Sequence, residues 1–389
     1  MRSCGIVAEY NPFHNGHRYQ ISKAKQLSQA EVMVAVMSGN FLQRGEPAII
    51  DKWVRAELAL HHGIDLVIEL PFAYAVQSAD YFSKGSIKLL QNLGTEALSF
   101  GTDYSGEIDY QEFAKFQLEN QREIDDAFKK IQNNGMSYPQ QMTEVYRRLY
   151  PEMTLDFNSP NHILGMGYAK ENILHARPME LFPIPRKESE HHQTEITQGN
   201  FASGTSIRQH VKEKKWREIK SVLPEETFRQ LKEHQTIDWE LFWPLLKYQL
   251  TVQSTTQLRH IYQMTQGIEN RLKKYVNEAD SFKDFIEKVK TKRFTWTRLQ
   301  RLCLYVLLQV TQEEVTNVWN NSYLRILAFN EKGQKYLNVR KNKLTLPVIT
   351  NVNSQNESLL SLDIRAGQLF QLVKAEKKEQ DYYTKPIMI

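Results

Sequence analysis

Apolar residues in the first hundred positions come in short, nearly unbroken runs separated by longer stretches of helical spacing. The runs at 3–8 (SCGIVA), 31–37 (EVMVAVM), 65–70 (DLVIEL) and 97–100 (ALSF) each predict a strand buried on both faces. Residues 17–27, 52–62 and 79–93 lie between or beside them and are expected to be helical. Strand and helix in alternation predict an α/β fold with a Rossmann-like parallel sheet and right-handed crossovers. Residues 107–150 are polar and helix-rich, so they are expected to form an inserted or flanking helical element. A helix is expected over 161–171 after Pro160, a further strand over 179–184 (MELFPI), and a polar loop over 188–198. A turn at Ser203 then leads into a helix from Thr205 to about Lys214.

The pattern changes after that. From about Glu218 to Gln312 it is mostly helical, and 302–310 (LCLYVLLQV) reads as a buried helix. Residues 324–329, 344–352 and 359–364 read as strands or short mixed segments. A chain of 389 residues is too long for one ordinary core. The expected division is a first domain over 1–215 and a mainly helical, basic domain over 216–389.

Composition narrows the class. With 41% hydrophobic and 24% charged residues the chain is an ordinary globular one that should bury a full core. Cys4 and Cys303 are the only cysteines, which excludes a disulfide framework or a CxxC metal pair and fits a reducing cytoplasm. No apolar run approaches the roughly 20 residues of a spanning helix, and the N-terminus lacks a signal pattern. A cytoplasmic protein with no membrane partner is expected. Charge is divided: residues 1–210 carry 20 Lys/Arg against 25 Asp/Glu, and residues 211–389 carry 30 against 20. A basic second half suits a polyanion partner, although a solvated lysine-rich surface has the same composition.

The strongest chemical signal is GIVAEYNPFHNGHRYQ over 5–20. A strand that turns directly into a helix presents free backbone N–H groups at the carboxyl edge of a parallel sheet, where a phosphate is attracted. Gly16 lets the backbone approach that phosphate, and His14 and His17, three residues apart, can face the same anion. Later in the chain Ser203, Gly204, Thr205, Ser206, Ile207 and Arg208 place a helix cap, read at Thr205, one turn before an arginine suited to bidentate phosphate binding. Arg44, Lys52 and Arg55 surround the loop after the second strand, where a solvated face is the default. The doublets His61-His62 and His191-His192 have no third ligand at zinc-like spacing, so no metal site is expected.

The string Tyr10 to His17 resembles the F-[DN]-P-x-H-x-G-H signature of the HxGH nucleotidyltransferase superfamily, relatives of the class I aminoacyl-tRNA synthetases, and Ser203 to Arg208 resembles its S-x-T-x-x-R turn. Five further strings, SGNFLQRGEPAI (38–49), DLVIELP (65–71), FGTD (100–103), SPNHILG (159–165) and PIPR (183–186), resemble a narrower family, the bacterial tRNA(Met) cytidine acetate ligases. The resemblance implies an ATP-binding catalytic domain over 1–215 and probable tRNA binding by the rest. It implies that ATP is contacted by Val7, Ala8, Glu9, Tyr10, Asn11, Pro12, Phe13, His14, Asn15, Gly16, His17, Arg18, Tyr19 and Gln20. Gly101, Asn161, Arg186, Ser203, Thr205 and Arg208 would complete the site, with His14, His17 and Arg208 catalytic. On residue type alone Gly101 is equally a turn glycine, Asn161 a helix cap and Arg186 a surface arginine. The implied reaction uses ATP with Mg2+, acetate and elongator tRNA(Met), and passes through acetyl-adenylate to N4-acetylcytidine at the wobble position. Trp216, Trp243, Tyr248, Trp296 and Tyr305 offer stacking faces or core. A small-molecule adenylyltransferase, or a non-catalytic RNA-binding protein on the same fold, remains the alternative.

Overall fold

The structure, a computed structural model, describes residues 1–103, 109–131, 138–151, 159–186, 200–265, 267–376 and 378–389. The polar loop expected over 188–198, with the His191-His192 pair, lies outside the described residues.

The strands are β1 (Ser3–Ala8), β2 (Val32–Ser38), β3 (Leu66–Leu70), β4 (Ala97–Thr102), β5 (Glu180–Pro185), β6 (Leu324–Phe329), β7 (Val348–Ile349) and β8 (Ile387–Met388). They form one sheet in the order β5-β4-β1-β2-β3-β6-β7, with β8 beside β6. The first five run parallel, as the apolar runs predict. Every residue of β2 and β3 is buried, and the period of two along β2 sorts its side chains between two layers. Met33, Ala35 and Met37 pack with Ile21 and Ala24 of α1 (Asn15–Ser28) and with Ala56, Ala59 and Leu60 of α2 (Lys52–His61). Val32, Val34 and Val36 face the other way, toward the core that holds α3 (Phe72–Ala75) and, through Ile87, Leu89 and Leu90, α4 (Ala79–Asn92). The helical element expected over 107–150 is present as Tyr110–Glu119, Gln121–Ile131 and Tyr138–Leu149.

The sheet does not end where the first half of the chain does. β6 pairs antiparallel with β3, so the expected division at residue 215 is crossed by the sheet. It is crossed by the core as well: the cluster containing Val34 and Leu90 runs without a break into Phe242, Leu246, Phe285 and Leu304. The reason is that β3 is apolar on both faces and would otherwise be a bare edge. Just beyond β6, Asn330 N–H donates to Asp65 O (3.1 Å) and its side chain donates to Asp65 Oδ1 (2.8 Å). Gly333 lies so close that a Cβ there would stand 2.0 Å from the same carbonyl oxygen.

Two segments of the second half differ from expectation. Of residues 344–352 only Val348–Ile349 is strand, and 359–364 leads into the helix Ser361–Val373. No helix among the described residues is long and apolar enough to cross a membrane.

The chain lays down β1, β2 and β3 in one direction and then returns to place β4 on the other side of β1. Order therefore reverses between β1 and β4, and in such sheets the crevice beyond the carboxyl ends of the strands at the reversal is where ligands bind. The segments leaving that edge are 9–14 and 101–103, both singled out by the sequence.

Candidate active site

His14 is the cap of α1. Its backbone is extended (φ −140°, ψ 173°), and Gly16 N–H donates to its Nδ1 (3.0 Å). His14 N–H in turn donates to Nδ1 of His17 (3.2 Å). With both Nδ1 lone pairs taken by backbone donors, the proton of each neutral ring must sit on Nε2. Burial holds the rings neutral: it lowers His14 to about 3, helped by the nearby Arg186 and Arg208 guanidinium groups, and lowers His17 well below the ordinary histidine range, helped by His14 and Arg186. The rings stack at 3.8 Å between centroids, tilted by 25°. Two imidazolium ions would repel strongly at that distance, so the stacked geometry and the neutral state agree. The result is a pair of Nε2–H donors at the positive N-terminal end of α1, with no described residue occupying either Nε2. Gly16 is needed here, since a Cβ would come within 2.8 Å of the His14 ring.

The residues leading to His14 hold this cap in place. Tyr10 takes a positive φ of 48°, the Asn11–Pro12 bond is cis, and the Tyr10 ring meets Phe13 (4.9 Å) and the edge of His17 (5.0 Å). Phe13 is fully buried and stacks on His62 at 4.9 Å. Asn15 donates to the carbonyls of Asn200 (3.0 Å) and Ser221 (2.9 Å), pinning the start of α1 to the chain around the distal motif. Tyr10, Phe13 and Asn15 thus have duties within the protein. Val7 and Ala8 close β1, Tyr19 lies against Phe201, Arg18 is exposed and Gln20 is half-buried on the helix.

The distal turn comes to the same place. Ser203, rather than Thr205, is the cap of the helix Gly204–Lys212, its Oγ accepting Ser206 N–H (3.1 Å). The expected assignment was two residues late, because both hydroxyls suit a cap and only backbone geometry separates them. Thr205 is left exposed on the first turn, where its Oγ1 accepts from Arg208 (3.3 Å). Arg208 also donates to Asn11 O (2.8 Å) and pairs with Glu46 (3.1 Å). Gly204 sits under that contact, since a Cβ would stand 3.1 Å from Asn11 O, which accounts for a glycine in this turn.

On the β4 side, Asp103 organises the rim. Its carboxylate accepts from Ser159 Oγ (2.5 Å) and from Asn161 Nδ2 (3.0 and 3.1 Å), and it pairs with Arg186 (3.1 Å). Asp103 was missed as an individual residue, although it closes the FGTD string. Gly101 meets nothing closer than the Arg186 side chain, at 3.9 Å from a built Cβ, so the space beside it is open.

Beneath the site, Lys52 and Arg55 correct the expectation of a solvated face. Arg55 is fully buried and donates to the carbonyls of Glu9 (2.6 Å), Ser38 (3.1 Å), Ile50 (3.1 Å) and Gly39. It ties together the ends of β1 and β2, and burial pulls its pKa down to about 10. Lys52 Nζ is buried between Glu69 (2.9 Å) and Asp381 (2.7 Å). Arg44 alone of the three is exposed. Glu9 accepts Gln43 N–H (2.8 Å), and burial pushes its carboxyl above the usual range. Of the expected aromatics, Trp243 and Tyr305 are core, Trp216 and Trp296 are half-buried and Tyr248 is exposed. Among the described residues no three His, Cys, Asp or Glu side chains converge on a metal position.

Comparison with known proteins gives the same answer throughout. The family model described as HIGH Nucleotidyl Transferase matches residues 1–385. The tRNA(Met) cytidine acetate ligase of Latilactobacillus sakei is 40% identical over 373 residues, covering 95% of this chain and 93% of that protein. The protein of the same name from Lactiplantibacillus plantarum is 40% identical over 389 residues, covering 99% and 98%. Among solved structures, Thermotoga maritima TmcAL superposes with a TM-score of 0.92 in its apo form and 0.90 when bound with alpha-thio ATP. These two are 32% and 31% identical and cover both chains completely. A histidine-capped helix at the sheet reversal, a distal arginine turn and relatives matched from end to end leave one assignment: the chain belongs to the HIGH nucleotidyl transferase family, among the tRNA(Met) cytidine acetate ligases.

Proposed function

We propose that this protein is an ATP-dependent ligase that acetylates N4 of the wobble cytidine of elongator tRNA(Met) in the cytoplasm. The observation that carries the reading is the pair of neutral, Nε2-protonated histidines at the mouth of α1, facing the crevice that Arg208 and Arg186 also border. An acetate oxygen attacks the α-phosphorus of ATP, the bond to the bridging oxygen breaks, and pyrophosphate leaves with the electron pair. His14 and His17 donate from Nε2 to phosphoryl oxygens as charge develops there, and the positive N-terminal end of α1 and the Arg208 guanidinium receive the departing pyrophosphate. Arg208 gives up Glu46 to do so. Gly101 leaves room for the nucleoside, while Asn161 and Arg186, both held by Asp103, bind it from the β4 side. The cytidine amine then attacks the acetyl carbon, the mixed anhydride opens, AMP leaves and the nitrogen loses a proton.

Magnesium carried with the nucleotide would supply charge neutralisation on the triphosphate. The donor set around the crevice, rich in amides and cations, suits an ion ligated chiefly by phosphate oxygens and water. Residues 1–215 supply the nucleotide site in this reading, and residues 216–389 hold the tRNA.

Mass analysis of tRNA after incubation with ATP and acetate tests the proposal. One acetyl group on the wobble cytidine, with AMP and pyrophosphate formed, is the expected result. Acetylation that requires acetyl-coenzyme A instead, or nucleotidyl transfer to a small molecule without regard to tRNA, would overturn it.

A further inference from the structure

The second half of the chain contains two stretches in which basic residues have no acidic neighbour in sequence, 289–312 and 332–356. The second lies by Gly94 and Glu96, ahead of β4 and so away from the crevice, whereas the first reaches the loop that leads to it. From Val289 to Gln312 there is no Asp or Glu, yet Lys290, Lys292, Arg293, Arg298 and Arg301 all fall within it. None of the five has a carboxylate partner among the described residues. Several other cations of this half are paired: Lys288 with Asp284 (2.6 Å), Arg259 with Glu269 (2.8 Å) and Arg365 with Glu314 (2.7 Å). Lys290, Lys292 and Arg293 are exposed. Arg298 lies over the Phe294 ring (4.6 Å) and donates to Arg293 O and to Thr265 (both 3.3 Å), contacts that position its charge without neutralising it. Burial, with Arg293 nearby, lowers the pKa of Arg298, which is what an uncompensated cation among cations shows.

The stretch is also fastened to the active-site loop. Gly45 presses on the backbone of Gln300 and Arg301, where a Cβ would stand 2.6 Å from Arg301 N, and its φ of 78° suits glycine. Arg301 donates to the carbonyls of Gln43 (3.4 Å) and Gln77 (3.3 Å), while its buried Nε has no partner among the described residues. Gln43 in turn donates its N–H to Glu9, in the segment that leads to His14. Two contacts therefore separate the basic stretch from the nucleotide loop.

We infer that residues 290–301 form the surface that grips the RNA backbone and delivers the acceptor nucleotide to the crevice. This rests on the ligase reading above. A polyanion is the occupant that a cluster of unpaired cations fits, and the half-buried Trp296 in its midst offers an edge or face for an unstacked base. Backbone phosphates satisfy Lys290, Lys292 and Arg293 at the exposed end, and Arg298 and Arg301 carry the positive field inward to Gln43.

The test uses the full chain with Lys290→Ala, Lys292→Ala and Arg293→Ala combined, and a control with Lys332→Ala, Lys335→Ala and Lys341→Ala, three exposed cations elsewhere. Loss of about three phosphate contacts should weaken tRNA affinity by about tenfold or more and reduce the slope of log affinity against log salt by about 2 to 3. Acetate-dependent exchange of labelled pyrophosphate into ATP, measured without RNA, should stay within about twofold of wild type for both variants. A wild type that exchanges and acetylates while the 290–293 variant keeps full tRNA affinity overturns the surface alone. Equal losses in the control variant overturn it too. A wild type with no acetate-dependent exchange overturns the ligase reading and this inference with it.

Discussion

At the first turn of α1 and at the first turn of α2 the chain keeps polar groups from water in opposite ways. Around α1 the two histidines are stripped of charge by burial, and each keeps one N–H without an acceptor among the described residues. Around α2 the charges are engaged within the protein: Lys52 by Glu69 and Asp381, Asp51 by Lys374 at 2.7 Å, and Arg55 by backbone carbonyls. Donors left without a protein acceptor are available to a ligand, whereas charges that engage one another hold the fold. The two turns are linked, because Arg55 on α2 grips the Glu9 carbonyl that precedes the histidine loop. One is the tool and the other its mount.

The comparison breaks most easily at Lys52. Replacing it with Met leaves two carboxylates buried without their cation, and removal of one partner from such a set costs about 3–5 kcal/mol. A urea midpoint corresponding to less than about 1 kcal/mol of loss would mean that the cluster is not a mount. His17→Ala should do the reverse. Acetate-dependent pyrophosphate exchange is expected to fall about 10²–10³-fold, as when one donor to a developing anion is removed, with stability lowered by no more than about 1 kcal/mol for the lost contact to His14 N–H. If the variant unfolds while retaining its specific activity, the roles assigned to the two turns are exchanged.

Acidity sharpens the contrast. The folded His14 ring binds its proton only at about 3, against about 6.5 in an unfolded chain, so between those values the unfolded state holds the extra proton. Stability from keeping this ring neutral is complete above about pH 6.5 and drains away as the pH falls toward 3. The urea midpoint of wild type should therefore drop more steeply between pH 7 and 5 than that of His14→Gln. Parallel curves would mean that the ring is not held neutral. The smallest effect is expected at Ser203→Ala, about 1 kcal/mol of stability from the lost cap. Its mark should be a raised KM for ATP, because the turn that carries Thr205 and Arg208 loosens.

What the sequence discloses follows from how local each interaction is. β1 to β4 are legible because parallel strands covered on both faces must be apolar without interruption, whereas β5 is a half-buried edge strand read from a shorter apolar run. The helix Ser361–Val373 is not, because its first residues, LLSLDI, alternate like a strand before Ala366, Leu369 and Phe370 restore helical spacing. At the site, His14, His17 and Arg208 carry their spacing with them, and the structure brings them to one crevice. Asp103 is silent by comparison, since a single aspartate after a strand has many uses until Ser159, Asn161 and Arg186 are seen around it. Lys52 could not be read at all: charges belong at the surface by default, and one of its acceptors lies 329 residues away.

That distance has a consequence for the making of the protein. A nascent chain that has reached residue 323 has already released its nucleotide loop from the ribosome, but it still displays β3 as a flat apolar border and Lys52 without Asp381. β6 covers the border and residues 380–381 complete the charge set only long after β3 and Lys52 have emerged, with Trp53 Nε1 donating to Gln380 O (2.6 Å) as they arrive. Chains that stop before β6 should therefore be sticky and short-lived.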